Sequence, residues 1–454
     1  MRLAWFTPWP PQPSGIAGRS VDATTGLARR GHAIDVFVDR RRVPTAVRAG
    51  DDAPAPGEVR IQSAHEFAWR HQRRQYDLIV YQIGNSVAHG FIWPYQQRYP
   101  GVVLLHDTHL HHARGAALLV GADGEAYREV FTFDHPGDSI DAAELAVLGF
   151  HGSYYFLWPM LRSVVAAARA VGVHPRGSVE PLRAAFPDVP IGPVALGMGC
   201  EVLPCDEDRR EMRRGLGIPA DALLFGVFGG LTAEKRVPQV LRAIARLRQA
   251  VAGVRLLLAG APDPALELPQ LIRALRLDDA VTLAPDLDDD LFERAIAAVD
   301  VSLNLRWPTA GETSGPWLQA LAAGRATVTI DHPQHAHVPA LDPQTWLPRP
   351  GQPGAEPVTV AIDIIDEEHS LELAVFRLAA DRSLRERLGA AARRYWEREH
   401  TVARMIDDCE RLFDRARAEP DGVRHELPRH LRPDPFARAE RLLQPFGIST
   451  CGLF

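Results

Sequence analysis

Lysine is nearly missing from this chain: of 454 residues, 51 are Lys or Arg, and the only lysine is Lys235. Asparagine is almost as scarce, with Asn85 and Asn304 alone. Such bias suits a genome that avoids these codons, so that ordinary lysine positions carry arginine. A lysine that persists then marks a place where a compact ammonium is wanted rather than a broad planar fork. Chance persistence is the competing explanation, and position decides between the two. Cysteine is limited to Cys200, Cys205, Cys409 and Cys451, without metal-ligand spacing or disulfide density, so free thiols are expected. No run approaches the ~18 apolar residues of a membrane helix, and 163–173 is interrupted by Arg169. The opening MRLAWFTPWPPQP is too short and proline-broken for a signal-peptide core, which gives the expectation of a cytoplasmic protein. A net charge of −6 denies the chain the positive field that gathers nucleic acid. With 46% hydrophobic and 24% charged residues, the composition is that of an ordinary globular chain of two or three domains.

What is present is an alternation of short apolar runs with helical patterns. Residues 2–6, 33–38, 77–82, 102–106, 169–174 and 193–197 read as strands, and 16–30 as a helix stopped by Gly31. A second series starts at 222–229 and continues at 254–259, 280–283, 299–305 and 326–330. Between its first two strands, Val240, Leu241, Ile244, Leu247 and Val251 recur at helical spacing. Buried strands alternating with helices predict α/β architecture, two doubly wound parallel sheets in tandem. Residues 200–220 fit a linker or first helix, 371–417 read as helices with interleaved Arg and Glu, and the tail from 418 is Pro-rich. Ligands of such sheets bind at the carboxyl ends of the strands, so chemistry is expected in the strand-to-helix loops.

Four loops carry candidates. Lys235 lies in GGLTAEKR just ahead of Pro238, where a helix N-terminus and a point charge would meet one anion, a diphosphate being the natural guest; a solvated loop lysine is the plain alternative. In GETSGPWLQALAAG, residues 311–324, Pro316 suits the first turn of a helix capped by Ser314 or Gly315. There the backbone of Thr313, Ser314 and Gly315 would face an anion or hydroxyls, Glu312 would accept hydrogen bonds, and Gln319, expected in the first turn, would hold a diol. Equally, Glu312 is a dipole-compensating acid and Gln319 an ordinary helix residue. In PQPSGIAGRS, Gly15 permits close backbone approach and Arg19 adds charge, though a simple connection explains it as well. In LLHDTHLHH, His106 and Asp107 end a strand, and His109, His111 and His112 invite a metal reading that their spacing does not favour over hydrogen bonding to a substrate. His174 reads as structural.

Together these residues resemble the family 4 glycosyltransferases, which have the GT-B architecture of two Rossmann-like domains facing across a cleft. The resemblance runs to about residue 417 through Ser14-Gly15, His106, VGVHP (171–175), FGGLTAEKR (228–236), LLLAG (256–260) and GETSGPWLQALAAGRATV. It implies an acceptor-side domain at 1–199, a donor domain at 200–390, a helix crossing back at 391–417, and a tail at 418–454. It further implies that Lys235 and Gly15 meet the donor diphosphate, that Glu312 with Thr313 to Gly315 binds sugar hydroxyls, that Gln319 holds the ribose, and that His106 touches the donor sugar. Retention at the anomeric carbon without a divalent cation or other cofactor is implied as well. Two positions depart from the pattern. Gly230 stands where an arginine is common, and Gln319 replaces a second glutamate, seven residues after Glu312 rather than eight. Arg306 or Arg236 is expected to supply the missing charge. The expected substrates are a nucleoside-diphosphate sugar, UDP- or GDP-linked, and a hydroxyl acceptor of glycan, polysaccharide or glycolipid synthesis, without nucleic acid. Arg40, Arg41, Arg42, Arg73 and Arg74 leave peripheral membrane contact open. The competing functions are inverting transfer, with Asp107 or His106 as base, and a non-catalytic sugar-nucleotide or glycan-binding module.

Overall fold

A computed structural model describes residues 1–12, 15–39, 54–120, 123–138, 140–150, 152–350, 354–419, 427 and 443–447. Ser14, Arg40, Arg41, Arg42, Cys451 and most of the 418–454 tail lie outside them. The first sheet comprises β1 Arg2–Phe6, β2 Ala33–Val38, β3 Val59–Ser63, β4 Leu78–Ile83, β5 Val102–Leu105, β6 Ala170–Val173 and β7 Ile191–Pro193, in spatial order β3-β2-β1-β4-β5-β6-β7. The second comprises β8 Leu223–Phe228, β9 Val254–Ala259, β10 Val281–Ala284, β11 Val301–Asn304, β12 Ala326–Ile330, β13 Ala340–Leu341 and β14 Thr359–Ile362, in order β10-β9-β8-β11-β12-β14-β13. Every pairing within them is parallel. Two seven-stranded, doubly wound sheets therefore stand where the alternating pattern placed them.

Continuous apolar runs make the central strands because both faces are covered. β2 and β4 are buried at all six positions. Helix Val237–Ala250 drives Val240, Leu241, Ile244 and Leu247 into the core shared with β8 and β9, with Pro238 in its first turn, where a missing N–H costs nothing. The crossing is made by helix Val402–Ala418. Its Met405, Ile406, Cys409, Leu412 and Phe413 join Leu3 and Trp5 in the core of the first sheet, with the Trp5 and Phe413 rings edge to face at 6.4 Å. The preceding helix, Arg382–Glu399, holds the inter-sheet segment through Trp396 Nε1 to the Met198 carbonyl at 2.6 Å and Arg393 to that of Cys200 at 2.8 Å.

The sequence pattern failed chiefly at edge strands, and also at β14, an interior strand buried at all four positions. The strand expected at 193–197 is instead β7, Ile191–Pro193, with Val194 N still donating to the Val173 carbonyl at 3.1 Å. β3, β13 and β14 were missed; β13 has two residues, and β3 is only half-buried and polar at Arg60 and Gln62. The 200–220 segment contains a helix at Asp206–Gly215.

Candidate active site

Parallel strands deliver their following loops to one edge of each sheet, and there the two halves meet. The loop after β5 donates Thr108 N and His109 N to the Ala310 carbonyl in the loop after β11, at 3.0 and 2.9 Å. Gly311 makes the approach possible: its φ is +72°, and a Cβ there would overlap Thr108 Oγ1. The same loop therefore carries both the clamp and, one residue later, Glu312.

Lys235 ends a 3-10 turn, Ala233–Lys235, after β8. Its side chain is buried at 5% exposure, and its Nζ donates to the Phe228 carbonyl at 2.7 Å. An ammonium has three donors, and among the described residues that carbonyl is the only hydrogen-bond partner. Burial pushes its pKa down to about 7; the Arg306 charge adds to the effect and the Glu312 charge opposes it. Gly229, at φ +88°, lets the amine in: a Cβ there would lie 3.3 Å from Lys235 Nζ and 3.7 Å from Pro316 Cγ. The amine thus sits at the start of helix Gly315–Ala322. Ser314 is the cap of that helix, its Oγ accepting from Trp317 N at 3.4 Å, and Pro316 is in the first turn.

Glu312 is fixed from two sides. Its Oε1 lies 2.5 Å from Arg306 Nε, and its Oε2 accepts from Thr309 Oγ1 at 2.8 Å. Gln334 Nε2 in turn donates to Thr309 Oγ1 at 3.2 Å. Across the interface stands Asp107, whose Oδ2 accepts from Asn85 N at 2.7 Å. Burial raises the Asp107 pKa, and the charge of Glu312 raises it further. Lys235, Arg306, Glu312 and Asp107 therefore form one electrostatic cluster drawn from both sheets.

The other candidates differ in burial and in their partners. Gln319 is the fifth residue of its helix, in the second turn rather than the first; it is 8% exposed, with Oε1 buried and, among the described residues, without a hydrogen-bond partner. Gly15 opens helix Gly15–Arg29 and is exposed. Gly230 is exposed, and a Cβ there would meet nothing within 4 Å. His106 is buried, its ring 4.4 Å from that of His174. Gln82 Oε1 accepts from Trp5 Nε1 and Ser20 Oγ, so its amide nitrogen faces His106 Nε2 at 3.3 Å and donates to it. Burial, with His174 and His89 nearby, holds His106 well below the ordinary imidazole pKa. The neutral ring then keeps its proton on Nδ1, its one donor for a ligand. His174 Nδ1 meets the Val194 carbonyl at 2.9 Å, as expected of a structural histidine.

Arg236 does not reach the cluster. It holds Glu367 through Nε to Oε1 at 2.7 Å and Nη2 to Oε2 at 2.5 Å. This corrects the expectation that it shares the missing arginine's role, and leaves Arg306. The histidines after Asp107 point apart: His111 Nε2 meets Tyr127 Oη at 2.7 Å, and His112 Nδ1 accepts from Asn85 Nδ2 at 3.1 Å. Among the described residues no group of three or more His, Cys, Asp or Glu is set to hold a metal ion. Arg73 lies over the Trp69 ring at 4.7 Å.

Asn85 and Thr309 were not picked out as site residues. Asn85 ties Asp107, His112 and, through Oδ1, Ala113 N at 3.0 Å. Its signal was the one that singled out Lys235, survival in a chain nearly without its residue type. Thr309 had no such mark.

Residues 222–353 match the family model described as glycosyl transferases group 1, a segment that spans Lys235, Arg306, Glu312 and Gln319. Solved structures share the fold over nearly their whole length. Sucrose-phosphate synthase from Thermosynechococcus elongatus is 15% identical, with a TM-score of 0.63 over 92% of this chain and 99% of that one. HepE from Anabaena, in complex with UDP and glucose, is 15% identical, with a TM-score of 0.60 over 91% and 99%. WaaG, a glycosyltransferase involved in lipopolysaccharide biosynthesis, is 16% identical, with a TM-score of 0.58 over 90% and 99%. No curated protein matches the sequence. The fold is GT-B, and the second half contains the segment that matches the group 1 family model. No helix among the described residues is long and apolar enough to cross a membrane.

Proposed function

We propose that this protein transfers a sugar from a nucleoside-diphosphate sugar to a hydroxyl acceptor, with retention at the anomeric carbon and without a divalent cation. The observation that carries the reading is the buried amine of Lys235, with one carbonyl partner and two donors to spare, beside the start of helix Gly315–Ala322. A diphosphate laid there would gain charge-assisted hydrogen bonds from the amine and from backbone N–H groups, the two forces that stabilise a departing nucleoside diphosphate. Support comes from the group 1 segment on the same loops and from a similar structure that holds UDP and glucose.

In this reading Arg306 holds Glu312 towards the sugar hydroxyls, Gln319 offers its free Oε1 to the ribose, His106 presents Nδ1–H to the sugar, and Gly15 lets the facing backbone approach. The bond from the anomeric carbon to phosphate oxygen breaks, the bond to the acceptor oxygen forms on the same face, and the acceptor proton passes to the leaving phosphate. The test is incubation with UDP-, GDP-, ADP- and dTDP-sugars in excess EDTA. Nucleotide release and the product anomer are read by NMR. Transfer with the donor's configuration is expected. An inverted product would move the reading to Asp107 as general base, whose raised pKa suits that role. Nucleotide-induced stabilisation without transfer or donor hydrolysis would make the protein a binding module.

A further inference from the structure

A second cationic site lies at the opposite end of the second sheet. A cavity of about 570 Å³ opens beside Leu223 and Ala326, the first residues of β8 and β12, and Asp300, just before β11. Since these strands are parallel, it lies a full strand length, ~20 Å for six residues, from the loops that hold Lys235. Six arginines and four carboxylates line it, leaving two positive charges over.

Its inner wall explains why the excess is not merely surface charge. Arg213 is spent on structure: Nε donates to the Ala298 carbonyl, Nη1 to those of Ala220 and Ala222, and Nη2 to Asp300. Arg209 shares Asp300 through Nη2 at 3.1 Å and faces Asp206 through Nη1 at 3.6 Å, and among the described residues its buried Nε has no hydrogen-bond partner. Asp300 is also taken by Leu224 N at 2.8 Å. Arg325 donates Nε to the Ala323 carbonyl at 2.8 Å, and among the described residues its two terminal nitrogens have no protein acceptor. Burial lowers its pKa to about 10, and the charges of Arg209 and Arg213 push the same way, with Asp300 opposing. Among the described residues Arg385 uses only Nη1, on the Leu378 and Ala379 carbonyls. Guanidinium groups that repel one another around one saturated carboxylate, with forked donors left over, are arranged to receive an anion with several acceptor oxygens.

We propose that this cavity binds a dianionic phosphate group, free or carried on a small molecule, with Arg325 and Arg385 as its main contacts and Arg209 completing the set. The site goes beyond the transfer reaction and shares no residue with it.

The experiment is isothermal titration of the full-length protein with inorganic phosphate and, separately, with glucose 1-phosphate. It is run on the wild type, Arg325→Gln, Arg385→Gln and Lys235→Ala, each checked for an unchanged circular dichroism spectrum. Binding is expected to weaken about tenfold in each arginine variant, as for loss of one charged hydrogen bond, and to persist in Lys235→Ala. Should Arg325→Gln fail to fold, Arg385→Gln carries the same test. Tighter binding of glucose 1-phosphate than of phosphate identifies a carried phosphate; equal binding identifies the free ion. Absence of binding by both probes overturns the proposal. So does binding that survives both arginine changes, or binding lost in Lys235→Ala alone, which would put the probe in the cleft.

Discussion

The second sheet carries positive charge at both ends, and it manages the two in opposite ways. At the carboxyl end a single lysine is buried beside one arginine, Arg306, which is itself held by Glu312. At the amino end arginines crowd a cavity around Asp300. A guanidinium stays protonated almost wherever it is placed, whereas a buried ammonium gives up its proton readily. At the carboxyl end the lysine's charge therefore depends on pH near 7, whereas the amino end is built from guanidinium groups. Neighbouring residues show the same contrast on a smaller scale: Lys235 keeps free donors, while Arg236 spends its fork on Glu367.

The contrast breaks most visibly if Lys235 is removed. Lys235→Ala is expected to lower transfer about 10²–10³-fold, the usual cost of deleting one preorganised donor to a developing anion, with little change in melting temperature. Steady-state kinetics beside a thermal melt check this, and wild-type turnover would end the diphosphate assignment. A pH series sharpens the same point. With the free amine titrating at about 7 and only its charged form gripping a diphosphate, UDP affinity is level below that pH. Above it, affinity falls about tenfold per pH unit until the pKa of the bound amine is reached. Titration calorimetry of UDP in buffers of different ionisation enthalpy should show proton uptake above pH 7 in the wild type and none in Lys235→Ala.

Adding charge is the complementary change. Gly230 has open space around its Cβ position, so Gly230→Arg is expected to fold normally. Its tighter UDP binding, by up to about tenfold, is the gain of one hydrogen bond between charged partners. Unchanged UDP affinity would show that Arg306 already meets the demand. The smallest effect belongs to Arg236→Ala, which breaks a partly buried ion pair worth about 1 kcal/mol. The melt should shift by a few degrees at most while UDP affinity stays the same; a loss of affinity would return Arg236 to the site.

Much of this was readable before folding. Strands such as β2, β4 and β9 announce themselves because a sheet covered on both faces favours near-continuous apolar runs, broken here only by Asp35, Gln82 and Arg255. Lys235 stood out through its rarity together with its place in a strand-to-helix loop, whereas the equal rarity of Asn85 went unused. Less legible were β3 and the two-residue β13, whose existence depends on neighbouring strands rather than on their own residues.

The two sheets, the loops that bear Lys235, Glu312 and Gln319, and the edge of each sheet to which those loops are delivered follow from the order of residues, since such patterns are local and periodic. Only the tertiary structure decided that Arg306 rather than Arg236 stands by the lysine, that Asp107 faces Glu312 from the other half, and that arginines scattered from 209 to 385 share one cavity. Those outcomes depend on which side chains are brought together from distant parts of the chain, and on the loss of water around them, neither of which a linear pattern encodes.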